Sequence, residues 1–215
     1  AHMKVLHLCF SDQEGGAARC AYRIHEALRE HITSVESQML VIKKHTEDES
    51  VFTIESWKGQ NIRSVRGFLD RKCARMFGSH DGYPVHSLNI LKSGILREIK
   101  KLKPDVIHLH WISGAMISIY EIASLRIPVV WTLHDLWPLL GVRHHPEKIV
   151  PSEIIADNGE YLSTPNRLSK WLYHAKAEAW HDSKMTFVSQ CEWSREIAER
   201  SLIGKGHEHS VIGCP

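Results

Sequence analysis

Apolar runs of strand length alternate with amphipathic stretches of helix length along this 215-residue chain, and that rhythm constrains the fold more than any single motif. Val5 to Phe10 reads as a first strand, followed by a polar loop with two adjacent glycines. From Ala17 to Glu30, residues Ala17, Cys20, Ala21, Ile24, Ala27 and Leu28 recur at helical spacing, with Arg19, Arg23, Glu26 and Arg29 on other faces. Further strands are predicted at Gln38–Lys43, Asp105–Trp111, Val129–Leu133, Met185–Ser189 and His209–Ile212. Further helices are predicted over 60–78, Leu91–Leu102 (stopped by Lys103-Pro104), Ala115–Leu125, Leu168–Trp180 and Glu192–Leu202. Trp137 to Pro165 shows no period and carries four prolines, so it reads as a long, mostly irregular loop.

Strand–helix alternation of this kind implies right-handed crossovers. The predicted class is therefore α/β: a Rossmann-like, doubly wound, mainly parallel sheet with helices on both faces. Ligands in such sheets bind at the carboxyl ends of the strands. The residues to weigh are those just after Phe10, Leu109 and Leu133.

Composition narrows the function classes. A net charge of +2 gives no electrostatic case for nucleic acid, although 16 histidines mean that positive charge climbs as pH falls. No run of about 18 apolar residues is present, so no membrane-spanning helix is expected. Ala1 and His2 read as a tag remnant and Met3 as the natural start, which leads into a strand without signal-peptide features. Five scattered cysteines without CxxC pairing argue against a disulfide framework or zinc ribbon, and a cytoplasmic setting accounts for them most simply.

Three segments carry chemistry. In Ser11-Asp12-Gln13-Glu14-Gly15-Gly16-Ala17-Ala18-Arg19, the glycines permit close backbone approach and the following helix N-terminus offers unpaired N–H groups. This could be a phosphate cradle or a plain tight turn; without GxGxxG spacing it does not support a nicotinamide or flavin cofactor. In His108-Leu109-His110-Trp111 the two imidazoles share one strand face. His108 is expected as a hydrogen-bonded core residue and His110 as a ligand-edge residue. In Thr132-Leu133-His134-Asp135-Leu136-Trp137-Pro138, His134 ends a strand, and Asp135 either serves the site or caps a following turn. His108, His110, His134, His144 and His145 could gather at one edge, but no HExxH or cysteine partner accompanies them, so no metal is expected. No GxSxG elbow exists for serine hydrolysis. Arg63, Arg66, Arg71, Lys72 and Arg75 surround Phe68 and Leu69, and read either as a solvated helix face or as a contact for anionic lipid headgroups.

Val5-Leu6-His7-Leu8 with Glu14-Gly15-Gly16-Ala17-Ala18-Arg19, then Pro104-Asp105-Val106-Ile107-His108-Leu109-His110-Trp111, then Val130-Trp131-Thr132-Leu133-His134-Asp135-Leu136-Trp137-Pro138, together resemble glycosyltransferase family four. The nearest likeness is to bacterial exopolysaccharide, colanic-acid or O-antigen transferases, and Val211-Ile212-Gly213-Cys214-Pro215 is similar to the segment that closes the family's N-terminal domain. The resemblance implies the GT-B architecture, with two Rossmann-like domains facing a cleft and retaining sugar transfer without a metal. It implies that Gly15 and Gly16 approach the donor diphosphate or acceptor and that His134 lies beside the transferred sugar as the catalytic residue; His110 and Asp135, from their place at the strand edge, are expected to bind substrate. It further implies that residues 3–215 are the acceptor-side half and that the donor-binding half, with its basic residue and E-x7-E element, lies outside them. The chain alone would then be inactive. Substrates would be a nucleotide sugar and a glycan or lipid-linked acceptor, with no cofactor and a peripheral position at the inner membrane face. Gly141-Val142-Arg143-His144-His145 departs from relatives that carry cysteines there. The competing readings are a non-catalytic binding or interaction module that pairs with a separate donor-binding subunit, and an epimerase or phosphorylase on the same fold.

Overall fold

The computed structural model describes residues 2–53, 65–74, 85–162 and 167–213. Among these residues seven strands form one parallel sheet: β1 (Met3–Ser11), β2 (Val35–Lys43), β3 (Val51–Thr53), β4 (Val106–Leu109), β5 (Val129–Leu133), β6 (Met185–Ser189) and β7 (Glu208–Val211). Their spatial order is β3-β2-β1-β4-β5-β6-β7. The helices are α1 (Gly16–His31), α2 (65–74), α3 (Ile95–Leu102), α4 (Ile119–Ala123), α5 (Pro151–Ile154), α6 (Arg167–Trp180) and α7 (Glu192–Arg200).

Side-chain alternation explains why both sheet faces are covered. Leu6, Leu8, Leu40, Ile107, Leu109 and Trp131 point to one face, where they join Ile95 and Ile99 of α3, Ile119 and Ile122 of α4, and Leu172 and Trp180 of α6. Cys9, Met39 and Val41 point to the other and meet Ala18 and Ala21 of α1. Each fully buried large apolar side chain contributes about 1.5–3 kcal/mol. The α/β, doubly wound expectation holds.

The differences have local causes. β3 was not expected, because only seven residues separate it from β2. That tight return is pinned by Asp12, whose carboxylate accepts the backbone N–H groups of His45 and Thr46 and the Thr46 hydroxyl. The helix expected from Ala115 starts at Ile119. Gly114 and Ala115 have φ of 72° and 59°, and Ser118 with Glu121 forms a capping box. Of the helix predicted over 60–78, residues 65–74 are helical; the flanks lie outside the described residues. Cys20 is disulfide-bonded, against the expectation of reduced thiols throughout, whereas Cys9, Cys73 and Cys191 are free. Among the described residues no helix is long and apolar enough to cross a membrane.

The segment after β5 is the largest correction. Expected to be irregular and loop-like, it runs through the core from Leu136 to His144 and contains a 3-10 turn (Trp137–Leu139) and α5. Its organiser is Lys176 on α6, which is 0% exposed. The ammonium donates to the carbonyls of Trp137, Leu140 (3.0 Å) and Gly141 (2.9 Å) and sits 3.7 Å from the Trp137 ring centroid. Three donors meet three acceptors, so the ion is saturated although burial pulls its pKa well below the ordinary lysine value. Lys176→Met would strand the buried carbonyls of Leu140 and Gly141, while that of Trp137 keeps the Leu140 N–H (3.3 Å), each unmet acceptor costing about 1–3 kcal/mol. A loss of about 3 kcal/mol, or a melting point lower by roughly 6–12 °C, is expected by calorimetry. An unchanged melting point would show that the lysine does not hold this segment.

Candidate active site at the carboxyl edge of the sheet

The chain leaves β1 toward β2 on one side and returns to β4 on the other, so the direction of winding reverses between β1 and β4. That is where an open α/β sheet leaves a crevice. α1 begins there. Gly15 is its N-cap at φ 92°, a conformation that disfavours other residues, and among the described residues nothing beyond the adjoining backbone lies within 4 Å of where a Cβ at Gly15 or Gly16 would stand. The first turn of α1 has neither an acidic residue nor a side-chain cap, so its N–H groups remain an electropositive edge.

A cleft of 460 Å³ is lined by Gly16, Ala17, Arg19, Cys20, Arg23, His134 and Gln190. The glycine loop after β1 and the histidine after β5 thus meet, with Gly15 one residue behind. Arg19, Arg23 and Gln190 were not singled out from sequence. Gln190 follows β6, so the same carboxyl-edge rule that picked His134 would have found it.

His134 is held through both ring nitrogens, with Nε2 3.0 Å from His110 Nδ1 and Nδ1 3.1 Å from Gln190 Nε2. Burial lowers its pKa to about 4, the charge of Asp135 opposing. The imidazole is therefore neutral at pH 7. His110 is only 2% exposed and lies behind His134, reaching the cleft through it and bonding onward to His7. His108 bonds to Thr132 Oγ1 at 2.8 Å, as expected of a core histidine. Burial is the leading cause that depresses the pKa of His108 to about 4 and those of His7 and His110 well below the ordinary value.

His7, His108 and His110 bring ligand-type nitrogens within 4.8 Å of one another. Two of those histidines, His7 and His110, are spent on one mutual hydrogen bond of 3.0 Å. Of the five histidines weighed for a metal, His144 stands apart, in the network of Asp135.

Asp135 is fully engaged by the protein. Its Oδ2 accepts from Trp111 Nε1 (2.8 Å) and His144 Nδ1 (2.6 Å), and its Oδ1 from the backbone N–H of Trp137 (3.0 Å). The last bond is the turn-capping role that the sequence left open. Burial would raise this carboxyl, but the His144 bond and charge outweigh it and hold the pKa low. Asp135 fixes the segment after β5, and with it the place of Trp111.

A second, larger cavity of 830 Å³ opens at the same edge, between Phe10, Lys43, His45, Arg71, Trp111 and Ser113. The basic segment divides. Arg66 donates to the carbonyls of Lys92, Ser93 and Ala115 and is structural. Arg71 lines the larger cavity, while Lys72 sits over the exposed Phe68 ring at 5.8 Å. Arg63 and Arg75 lie outside the described residues.

Comparison with known proteins gives one match. A family model described as Glycosyltransferase Family 4 covers residues 14–180, a span that contains the glycine loop, His110, His134 and Asp135. No curated protein and no solved structure matches the chain.

Proposed function

The chain belongs to glycosyltransferase family 4, and we propose that it forms the acceptor-side half of a transferase that moves a sugar from a nucleotide-sugar donor to a polysaccharide or lipid-linked acceptor. The observation that carries this reading is the single cleft shared by Gly16, Arg19, Arg23, His134 and Gln190 at the switch point of the sheet. An α1 first turn without acidic residues, backed by two arginines, suits a diphosphate. A neutral, doubly anchored His134 suits hydrogen bonding to the sugar rather than delivery of charge. His110 and Asp135 then act from behind, the first by holding His134 and the second by shaping the edge around Trp111. The larger cavity, with its aromatic Phe10 and Trp111 walls and its basic Lys43 and Arg71, suits the acceptor.

Catalysis on this reading is positioning plus stabilisation of charge on the departing diphosphate, with retention and no metal. An exopolysaccharide or O-antigen acceptor is part of the proposal. So is a peripheral position at the inner membrane face, supported by exposed Val65, Phe68 and Leu69 beside Lys72 on α2. The cytoplasmic setting rests on the free thiols of Cys9, Cys73 and Cys191 rather than on Cys20.

One wall of a cleft holds a nucleotide weakly. Titration of residues 3–215 with uridine, guanosine and adenosine diphosphate sugars in a calorimeter should give dissociation constants no tighter than high micromolar. A sub-micromolar constant for any of them would mean that this half carries the donor pocket itself, and the acceptor-side assignment would fall.

A further inference from the structure

On the α1 side of the sheet an unbroken line of hydrogen bonds leaves His134 and crosses three strands. His134 Nε2 meets His110 Nδ1 (3.0 Å), and His110 Nε2 meets His7 Nδ1 (3.0 Å). His7 Nε2 meets Ser37 Oγ (3.1 Å), Ser37 Oγ meets His25 Nδ1 (2.7 Å), and His25 Nε2 meets Ser50 Oγ (2.8 Å). The line ends where Ser50 Oγ meets Asp48 Oδ1 at 2.6 Å. His7, His25, His110 and Ser37 are at most 3% exposed.

The far end has only one possible polarity. Asp48 receives the Ser50 N–H, the Arg29 guanidinium (2.7 Å) and the Tyr22 hydroxyl besides Ser50 Oγ, and it titrates near 2 because these donors outweigh its burial. A carboxylate only accepts, so the single Ser50 hydroxyl proton points at it. Ser50 must then accept from His25 Nε2–H. A neutral imidazole with its proton on Nε2 has a bare Nδ1, which must accept from Ser37. The same step repeats at His7, at His110 and at His134.

We infer that this chain is a tautomer lock: Asp48, Ser50, His25, Ser37, His7 and His110 are positioning residues that force the His134 proton onto Nε2 and leave its Nδ1 a lone pair facing the cleft. Gln190 Nε2, a donor, is the group that now meets Nδ1. Any occupant that takes its place must likewise bring an O–H or N–H. A sugar hydroxyl fulfils that requirement; a phosphate oxygen does not. The lock itself follows from hydrogen-bond arithmetic on neutral imidazoles, and only its consequence for the occupant rests on the proposed function.

The test is a two-bond proton–nitrogen NMR spectrum of the histidine side chains at pH 7.5, with assignments from single His→Gln variants. His7, His25, His110 and His134 should each show one form, protonated at Nε2. Ser37→Ala, made together with Gln190→Ala so that no donor holds His134 Nδ1, cuts the line midway and should turn His7, His110 and His134 into tautomer mixtures, while Ser37→Thr in the same background, which keeps the hydroxyl, should restore the single form. A severed but merely structural contact would leave the His134 pattern unchanged. Detection of an Nδ1–H form at any of the four histidines in the wild type overturns the lock, whether or not the alanine variant folds. An Nε2–H pattern in a protein that transfers no sugar would instead count against the proposed function and leave the lock standing.

Discussion

Lowering the pH from 7.5 to 5 is expected to strip this domain of most of its stability, through histidines that the fold keeps neutral. Among the described residues six histidines, His7, His25, His108, His110, His134 and His207, have pKa values held below the ordinary 6.5 in the fold. For His25, His108 and His134 the value is about 4; burial is the leading cause in all six. Above 6.5 neither the folded nor the unfolded chain protonates them, so they contribute no pH dependence. Below 6.5 the unfolded chain binds protons that the fold refuses, and stability falls with a slope of up to about 1.4 kcal/mol per pH unit for each group. His134 is partly open to solvent and the charged imidazoles repel one another in the unfolded chain far less than in the fold, so each histidine contributes its own share of the sum. A loss on the order of 5 kcal/mol between pH 6.5 and 5 is still comparable with the whole stability of an ordinary domain. Asp48, at about 2, and Asp135, also held low, stay ionised through this window, whereas Asp70, pushed up by burial, takes up a proton more readily in the fold and offsets part of the loss. Urea midpoints at pH 7.5, 6.5 and 5.5 measure the effect. Equal midpoints across that range would mean that the histidines already protonate inside the fold.

The sheet was legible because apolar alternation is a local signal. β5 and β6 were predicted to the residue, since Val129–Leu133 and Met185–Ser189 are short apolar runs bounded by breakers. The strand-edge rule then found the glycine loop and His134 without side-chain information. What stayed hidden depended on partners distant in sequence. Trp137–Gly141 has no period because its order comes from a lysine nearly forty residues later, and a lysine inside a helical pattern reads as surface. His7 sits in a strand pattern as an ordinary interruption, and His25 as a polar position of an amphipathic helix. Each gains meaning only when Ser37, from a third element, comes between them. His110 was placed correctly at the carboxyl edge of β4, but the depth of its ring behind His134 is set by β5, which sequence does not register against β4.

Replacing His134 is the other large expected effect, and it bears on the central claim that the cleft of Gly16, Arg19, Arg23, His134 and Gln190 is where a sugar is transferred. His134→Ala removes the imidazole that shares the cleft with the glycine loop while leaving Asp135, Lys176 and the segment they hold untouched. Loss of a positioned group in a water-poor site commonly reduces turnover about 100-fold or more. The decisive measurement uses the protein expressed from its complete reading frame, a lipid-linked glycan acceptor and a panel of labelled nucleotide sugars. Label transfer by wild type and by His134→Ala is compared after melting curves have shown both to be folded. The expected result is transfer from at least one donor by wild type and a drop of about 100-fold in turnover for the variant. Transfer at the wild-type rate by folded His134→Ala would place the chemistry elsewhere and contradict the account.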